Sequence, residues 1–325
     1  MAVDVAMLAA QNNTDQGKIM KHALIAAGAT LTLAACGGGG SAPPQDATGT
    51  INIAMTDAAV DNVDAVNVRF TGVTLKPQSG DEMVYVFDAP KDIDLLSLQG
   101  GNTAELLSNT QVPVGAYNWI RLAVQAEFDN DFDSYAMMDD GTQVELRVPS
   151  GSQSGLKLVS GFTVTQNNST NIVIDWDLRK ALSDPQGQPG IHLRPALRVT
   201  DMASFGTLSG TVDLALLEDA TCTNDLVADT GNAVYIYNGE VTEPLDIRGV
   251  DTDPIATATV SKGIDEIYRY EVSYLSVGEY TAALTCQASD DEVETEELIG
   301  FLVVTTGVMI SNGEIRELNF TAPAP

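Results

Sequence analysis

Apolar and polar residues alternate with a period of two along most of the chain. The pattern is clear in six segments before residue 200, each of which predicts one strand: Ile51–Met55, Val66–Phe70, Ile120–Val124, Val144–Val148, Ile172–Asp177 and Leu193–Val199. Alternation of this kind is typical of half-buried strands, because successive side chains of a strand point to opposite faces. Many short strands separated by polar turns indicate a β-sandwich. Short helical turns are expected only at Asp94–Leu98, Thr103–Ser108 and Leu178–Leu182.

A second series of strands begins near residue 207, and the segments Val212–Leu216 and Tyr268–Tyr274 alternate in the same way. The turns Val112–Tyr117 and Leu275–Tyr280 each place a Gly and then a Tyr at the start of a strand, as prealbumin-like and immunoglobulin-like sandwiches do. We therefore expect a mainly β chain with little helix. Two antiparallel β-sandwich domains are predicted in tandem, at residues 49–203 and 206–325.

The beginning of the chain has the layout of a secretion signal. Two lysines precede the apolar run Ala23–Ala35, which is too short for a membrane-spanning helix. The tetrapeptide Leu33–Cys36 resembles the bacterial lipobox, in which the Cys is acylated and the bond before it is cut. We predict a signal peptide at residues 1–35, with residues 1–19 as an over-extended gene start, and a Gly/Ser/Pro tether at residues 36–48.

Acylation of Cys36 would anchor the protein through several acyl chains, since one chain alone binds a membrane only marginally. By the sorting rules of Gram-negative bacteria, Gly37 favours the outer membrane, at its periplasmic face or at the cell surface. The alternative is a buried core Cys in an apolar helix. Secretion places Cys222 and Cys286 in an oxidising compartment, so we predict a disulfide bond between them.

The charge of the chain limits its partners. Its 325 residues carry a formal net charge of −29, and the predicted signal segment contributes none of the excess. A surface of this charge repels nucleic acid and anionic lipid headgroups. A nucleic-acid partner is therefore not expected.

Several short motifs of the first half occur in a characteristic order. They are Gly49–Ile51, Thr56–Ala58, Asp94–Leu98, Pro113–Tyr117, Asp175–Asp177 and Leu193–Arg198. Their order and spacing resemble the family called domain of unknown function 4382, found in bacterial lipoproteins, although Ala59 stands where that family commonly has Pro. The resemblance implies a fold and a location but no activity. The second half resembles, in general terms, a prealbumin-type or carboxypeptidase-regulatory-like sandwich.

The sequence offers little material for catalysis. After the predicted signal the chain contains one histidine, His192, and it has no G-x-S-x-G motif for a nucleophilic serine. Trp119 and Trp176 alternate with or adjoin apolar residues, so we expect them to pack in a core and not to stack on sugars. We interpret the protein as a non-catalytic envelope lipoprotein that acts as a binding or structural module. The alternative is a carbohydrate-active or other hydrolase with an unrecognised site.

Calcium is the one cofactor that the sequence suggests. Asp129, Asp131 and Asp133 place carboxylates at alternate positions, and Asp140 follows them. Such a loop could supply the oxygen ligands that Ca²⁺ prefers. The alternative is a solvated acidic turn between two strands.

A polar face is the remaining candidate site, and two interpretations of it stay open. The first is a set of structural ion pairs between neighbouring strands. The second is a binding face for an unidentified protein or glycan partner. The residues concerned are Asp57, Asp175, Asp177, His192, Arg194 and Arg198.

Overall fold

The fold is known from a computed structural model of the chain. Cys36, the predicted signal peptide and nearly all of the predicted tether lie outside the residues that the structure describes. Within the described part of the chain, no helix is long and apolar enough to cross a membrane. The segment Pro44–Pro325 forms one compact unit. The described residues are 47–58, 60–61, 63–149, 155–184, 190–293 and 295–323.

The first half folds into two sheets that enclose one core. Its strands are β1 (Thr48–Ala58), β2 (Val63–Pro77), β3 (Met83–Asp94), β4 (Ala104–Pro113), β5 (Gly115–Gln125), β6 (Tyr135–Met138), β7 (Gln143–Arg147), β8 (Leu156–Leu158), β9 (Phe162–Val164), β10 (Ser169–Asp177), β11 (Leu182–Ser183), β12 (Ile191–Leu193) and β13 (Leu197–Asp201). Sheet A has the order β13-β10-β1-β4. Sheet B has the order β11-β12-β7-β6-β2-β5-β8, with β3 beside β2 and β9 beside β5. A 3₁₀ helix at Leu95–Leu98 and helix α1 (Leu178–Ala181) lie between strands.

The second half repeats this plan with its own core. Its strands are β14 (Phe205–Val212), β15 (Ala233–Asn238), β16 (Ala256–Thr259), β17 (Ser261–Lys262), β18 (Tyr268–Ser276), β19 (Gly278–Thr285), β20 (Phe301–Ile310) and β21 (Ile315–Glu317). Sheet C has the order β17-β18-β14-β21 and sheet D the order β16-β15-β19-β20. Helix α2 (Leu214–Leu217) follows β14, and a 3₁₀ helix at Ala288–Asp290 follows β19.

The predicted mainly β fold with tandem sandwiches is confirmed, and most strand pairs are antiparallel. The pairs β1–β10, β7–β12 and β14–β21 are parallel. The predicted boundary near residues 203–206 falls between the two cores. Independent folding of each half stays a prediction, because both halves belong to one compact unit.

Two segments have a different secondary structure from the one predicted from the sequence. The helix predicted at Thr103–Ser108 is wrong, because most of this segment forms the start of β4 and pairs with β1. Tertiary pairing overrides the helical propensity of Ala, Glu and Leu there. The predicted strand Val212–Leu216 is wrong beyond Val212, since Leu214–Leu217 forms helix α2. The turns expected near Asp94 and Leu178 are present as short helices.

The two Gly–Tyr turns share one hydrogen bond. The Tyr117 hydroxyl donates to the Pro113 carbonyl at 2.8 Å, and the Tyr280 hydroxyl donates to the Ser276 carbonyl at 2.7 Å. Each bond reaches back four residues and closes the corner through which the chain enters the next strand. Both sandwiches therefore stabilise this corner in the same way.

The predicted disulfide bond is present. Cys222 and Cys286 are joined, with their Cα atoms 5.1 Å apart and a sequence separation of 64. Cys286 directly follows β19, whereas Cys222 lies in the irregular segment after α2. The bond therefore fastens that segment to the end of sheet D.

Candidate functional site

The outer face of sheet A carries charged residues that meet the second sandwich. Trp176 is fully buried in the first core, so Asp175 and Asp177, its neighbours on β10, point away from that core. Asp175 lies directly opposite Arg198 of β13. Its Oδ2 accepts hydrogen bonds from Arg198 Nε, at 3.2 Å, and from Arg198 Nη2. These two residues form the ion pair that neighbouring strands allow.

Arg198 extends this pair into the second sandwich. Its Nη1 donates to the carbonyl of Tyr274 at 2.7 Å, and its Nη2 donates to the carbonyl of Ser273 at 3.2 Å. The Thr200 hydroxyl also donates to the Tyr274 carbonyl, and the Tyr274 hydroxyl donates to the carbonyl of Gly101. Tyr274 has a φ of +56°, which residues other than Gly rarely adopt. Contacts from the first sandwich thus hold Tyr274 on both its backbone and its side chain.

Arg179 of α1 is the most deeply buried cation in this interface. Its side chain is 4% exposed, and its Nη2 lies 3.0 Å from Asp61 Oδ2. The guanidinium also donates to the carbonyl of Ala288 at 3.1 Å and to the Thr259 hydroxyl at 3.4 Å. Burial, the largest single effect, lowers the pKa of Arg179, but the charge and hydrogen bond of Asp61 together with the nearby Tyr235 and Asp177 raise the pKa overall. Arg179 therefore stays charged between the two sandwiches.

Asp177 and Lys180 complete the interface. Asp177 Oδ1 accepts a hydrogen bond from the Thr257 hydroxyl at 3.0 Å, and Lys180 Nζ donates to the carbonyl of Pro254 at 2.6 Å. Burial raises the pKa of Asp177, and the charge of Lys180 opposes that rise. The second sandwich therefore supplies neutral partners to the charges of the first.

A cleft follows the junction of the two sandwiches. It consists of cavities of about 410, 210 and 290 Å³. Leu197, Arg198 and Ile255 line the first two, and Lys180 lines the second and third. The bonds of Arg198 and Lys180 described above tie these cations to the opposite sandwich. The cleft is thus a seam in the junction and not a separate pocket.

The six residues of the predicted polar face do not share one face. Asp57 lies opposite Trp176 in the register of β1 and β10, on the side opposite to Asp175 and Asp177. His192 belongs to β12 of sheet B, and Arg194 lies in the connection to β13 of sheet A. Pro195 explains the error: it lacks a backbone N–H, and the segment read as one strand divides there between two sheets.

His192 lies opposite Ser183 and Arg147 in the register of sheet B. Burial lowers the pKa of His192. The charges of Arg147 and Arg194 lower this pKa further, and the charge of Asp184 opposes them. Sequence reasoning missed Ser183 because the pairing of β11 with β12 is visible only in the fold. Neither Ser183 Oγ nor His192 Nε2 has a hydrogen-bond partner, so the histidine does not activate this hydroxyl.

The predicted calcium loop connects β5 to β6. Asp133 forms an ion pair with Arg69, and Asp129 Oδ1 accepts a hydrogen bond from the backbone of Asp131 at 3.0 Å. Asp140 Oδ1 accepts from the backbone of Thr142 at 2.8 Å. No three of the four predicted carboxylates come within 4.8 Å of one another. Calcium binding here stays a prediction without an assembled set of ligands.

Three acidic groups do converge elsewhere. Within the described residues, such a group occurs only at Asp246, Asp291 and Glu297, with oxygens within 4.8 Å of one another. Asp291 accepts hydrogen bonds from the Tyr235 hydroxyl at 2.5 Å and from the backbone of Ile247. Burial raises the pKa of Asp291 to about 6. Asp246 accepts from the backbone of Glu297 at 2.7 Å, so the group is bonded within the protein.

Comparison with known families supports the first half of this description. Residues 48–195 match the family described as Domain of unknown function (DUF4382). The first sandwich is therefore similar to this family, and the resemblance noted in the sequence is confirmed. Because the match ends at residue 195, β13 and its Arg198 lie beyond the matched residues.

Other comparisons are distant. No curated protein matches the chain. The TIE protein of Bacillus anthracis shares 15% identity at a TM-score of 0.19, and the match covers 84% of this chain and 34% of that one. A putative adhesin from Bacteroides ovatus shares 10% identity at a TM-score of 0.21, and the match covers 85% of this chain and 89% of that one. The major pilin of Streptococcus pyogenes shares 11% identity at a TM-score of 0.16, and the match covers 83% of this chain and 96% of that one. Likeness this distant indicates no function.

Proposed function

We propose that the chain is a membrane-anchored lipoprotein of the bacterial envelope and that its two sandwiches act together as a non-catalytic binding or structural module. The lipobox-like segment ending at Cys36 supports the anchor, and the Gly, Ser and Pro residues after it suit a tether. The outer membrane is the proposed location. A protein or a glycan is the proposed partner.

The observation that carries the module proposal is the set of buried charges at the junction. Arg179 contacts Asp61 within its own sandwich and Ala288 of the other. Separating the sandwiches would take the Ala288 carbonyl away from Arg179 and leave the guanidinium without that hydrogen bond, so the junction favours one rigid body over a hinge. A rigid body suits the display of a surface at a fixed distance from an anchor. Enzymes that close over a substrate need the opposite property.

The anchor is tested by mass spectrometry of the full chain expressed in a Gram-negative host. We expect a mature protein that begins at Cys36 and carries acyl chains, and we expect the Cys36→Ala variant to stay unprocessed. A Cys222→Ser/Cys286→Ser variant is the matched control and should still be acylated. A mature protein without an acyl group at Cys36 would refute the proposal.

The location and the role need separate measurements. In membrane fractionation we expect the acylated protein to sediment with the outer membrane, and recovery with the inner membrane would contradict that location. The role is tested by complementation of a strain that lacks the gene. If the protein is not a hydrolase, the Ser183→Ala/His192→Ala variant should restore the phenotype of that strain as well as the unchanged protein does. Loss of complementation with an unchanged fold would favour the hydrolase alternative.

A further inference from the structure

Trp119 lies on the outer face of sheet B and not in the first core. Its neighbour Ile120 and the next alternate residue, Leu122, belong to the core, so Trp119 and Arg121 point outward. The indole is nevertheless only 9% exposed. The guanidinium carbon of Arg121 and the Nζ of Lys157 each lie 4.7 Å from the centre of its ring. Two cations therefore cover this tryptophan through cation–π contacts.

We call this part of sheet B the cationic face, and it consists of Lys76, Trp119, Arg121 and Lys157. Lys76 of β2 lies opposite Trp119, and Lys157 of β8 lies opposite Arg121. Glu82 approaches Arg121 at 3.6 Å, through side chains that are 43% and 27% exposed, so it neutralises the face only in part. The whole chain has 16 basic residues against 45 acidic ones. A local excess of cations is therefore an exception on this surface.

Exposed apolar side chains flank the cationic face. Val84 and Val86 of the neighbouring strand β3 are 64% and 75% exposed. Val84 lies opposite Thr74, which in turn lies opposite Arg121, so all three side chains share one side of sheet B. Cations beside exposed apolar groups are typical of surfaces that bind at a membrane–water interface.

The cationic face lies close to the point where the chain leaves for Cys36. The carbonyl of Ala47, the first described residue, accepts a hydrogen bond from Val114 at 2.9 Å, just before β5 begins. Trp119 follows Gly115, the first residue of β5, by four positions, or about 13 Å along the strand. Ala47 follows Cys36 by eleven positions, and this stretch of chain can span at most about 40 Å. A lipid on Cys36 would keep the cationic face within reach of the membrane.

The second sandwich lies on the other side of the first. It contacts the outer face of sheet A through Arg198 and Asp177. The cationic face belongs to the outer face of sheet B, across the first core. An orientation with the cationic face on a membrane therefore directs the second sandwich away from it.

We propose that the cationic face docks on the anionic phospholipid headgroups of the membrane in which the protein is anchored. The proposal rests on the proposed function in one respect, because the Cys36 anchor brings the face to the membrane. Net charge argues against anionic headgroups for the chain as a whole, but charges more than about 8 Å away are largely screened at physiological salt. The local cations then attract the headgroups, whereas an orientation that brought the acidic surface within that distance of the membrane would be repelled.

The test uses the acylated full chain in vesicles that contain a nitroxide-labelled headgroup quencher. A fluorophore is placed at Ser79→Cys, beside Lys76, or at Val227→Cys, a site that is 99% exposed in the second sandwich. In vesicles with 30% phosphatidylglycerol in phosphatidylethanolamine, the label at residue 79 should be quenched at least twice as strongly as in phosphatidylcholine vesicles. The label at residue 227 should not respond to the lipid.

Variants then assign the effect to the cationic face. Each cation near an anionic membrane is worth about a fivefold change in binding, so Lys76→Gln/Lys157→Gln should lower the ratio of docked to undocked protein about 30-fold. Lys262→Gln/Arg316→Gln removes two charges from the second sandwich and should change nothing. The single variant Lys76→Gln keeps the cover of Trp119 intact and should give about a fivefold loss, even if the double variant folds poorly.

Several outcomes would overturn the proposal. Equal quenching in both kinds of vesicle, or loss of lipid dependence in the Lys262/Arg316 control alone, contradicts docking through the cationic face. Competition by soluble heparin at concentrations where vesicles do not bind would assign the face to an anionic glycan instead. If mass spectrometry finds no acyl group, the anchor fails, and flotation of the same protein with phosphatidylglycerol vesicles still decides the docking. Flotation that depends on Lys76 and Lys157 supports docking, and its absence overturns it.

Discussion

Replacement of Arg179 by methionine tests the buried charges that join the two sandwiches. Met keeps most of the length and apolar character of the side chain but removes every hydrogen-bond donor. The carboxylate of Asp61, which is 6% exposed, would lose its cation, and the carbonyl of Ala288 would lose a donor. The variant therefore isolates the charge from the packing of the stem.

The expected cost follows from the buried carboxylate that is left behind. Removing one member of a buried ion pair typically costs about 3–5 kcal/mol, because the remaining charge has neither its partner nor water. The same reasoning predicts that Arg179→Met/Asp61→Leu recovers part of the loss, since no unpaired charge remains. The double variant should therefore be more stable than Arg179→Met alone.

Urea unfolding followed by intrinsic fluorescence measures these differences. The matched control is Arg269→Met, which removes an exposed ion pair with Asp265 whose members are 47% and 48% exposed. We expect little change in the unfolding midpoint for the control, because water replaces such a pair at low cost. An Arg179→Met midpoint equal to that of the control would refute the buried-charge argument. A double variant no more stable than the single one would do the same.

Three further predictions concern other parts of the molecule. Reduction of the Cys222–Cys286 bond should lower the free energy of unfolding by about 4 kcal/mol for a loop of 64 residues, as denaturation with and without reductant can measure. Burial raises the pKa of Asp291 from 3.8 to about 6, so the folded state holds its proton more tightly and stability should fall as pH rises from about 3.8 to 6. This fall is at most about 3 kcal/mol, and Asp291→Asn should flatten the measured stability–pH curve across that interval. In isothermal titration with calcium, we expect heat of binding at the Asp129–Asp140 loop that the Asp131→Asn variant loses. Binding heat that persists in this variant would place the ion elsewhere.

Periodicity predicted most of the fold, because the side chains of a half-buried strand alternate between core and solvent and so produce alternating apolar and polar residues in the sequence. It placed Trp176 on an inward side and Asp175 on the opposite one, as the structure shows. Periodicity cannot tell which sheet a strand joins, and the segment around Pro195 was assigned to one strand for that reason. It also cannot tell core from covered surface: Trp119 is nearly as buried as a core residue, but cations from its own and a neighbouring strand bury it.

The position of the charges explains why the sequence left two interpretations of the polar face open, structural ion pairs and a binding face. Asp175 and Asp177 point outward at the end of β10, and Arg179 lies in the helix α1 that follows, so in a single sandwich all three would face water. The second sandwich covers them: its Thr257 hydroxyl donates to Asp177, and its Ala288 carbonyl accepts from Arg179. Its Tyr274 carbonyl accepts from Arg198, the partner of Asp175. A neutral partner cannot compete with water for these charges unless its geometry is fixed. The junction is therefore demanding in geometry, and an apolar contact of the same area would tolerate sliding where this one does not.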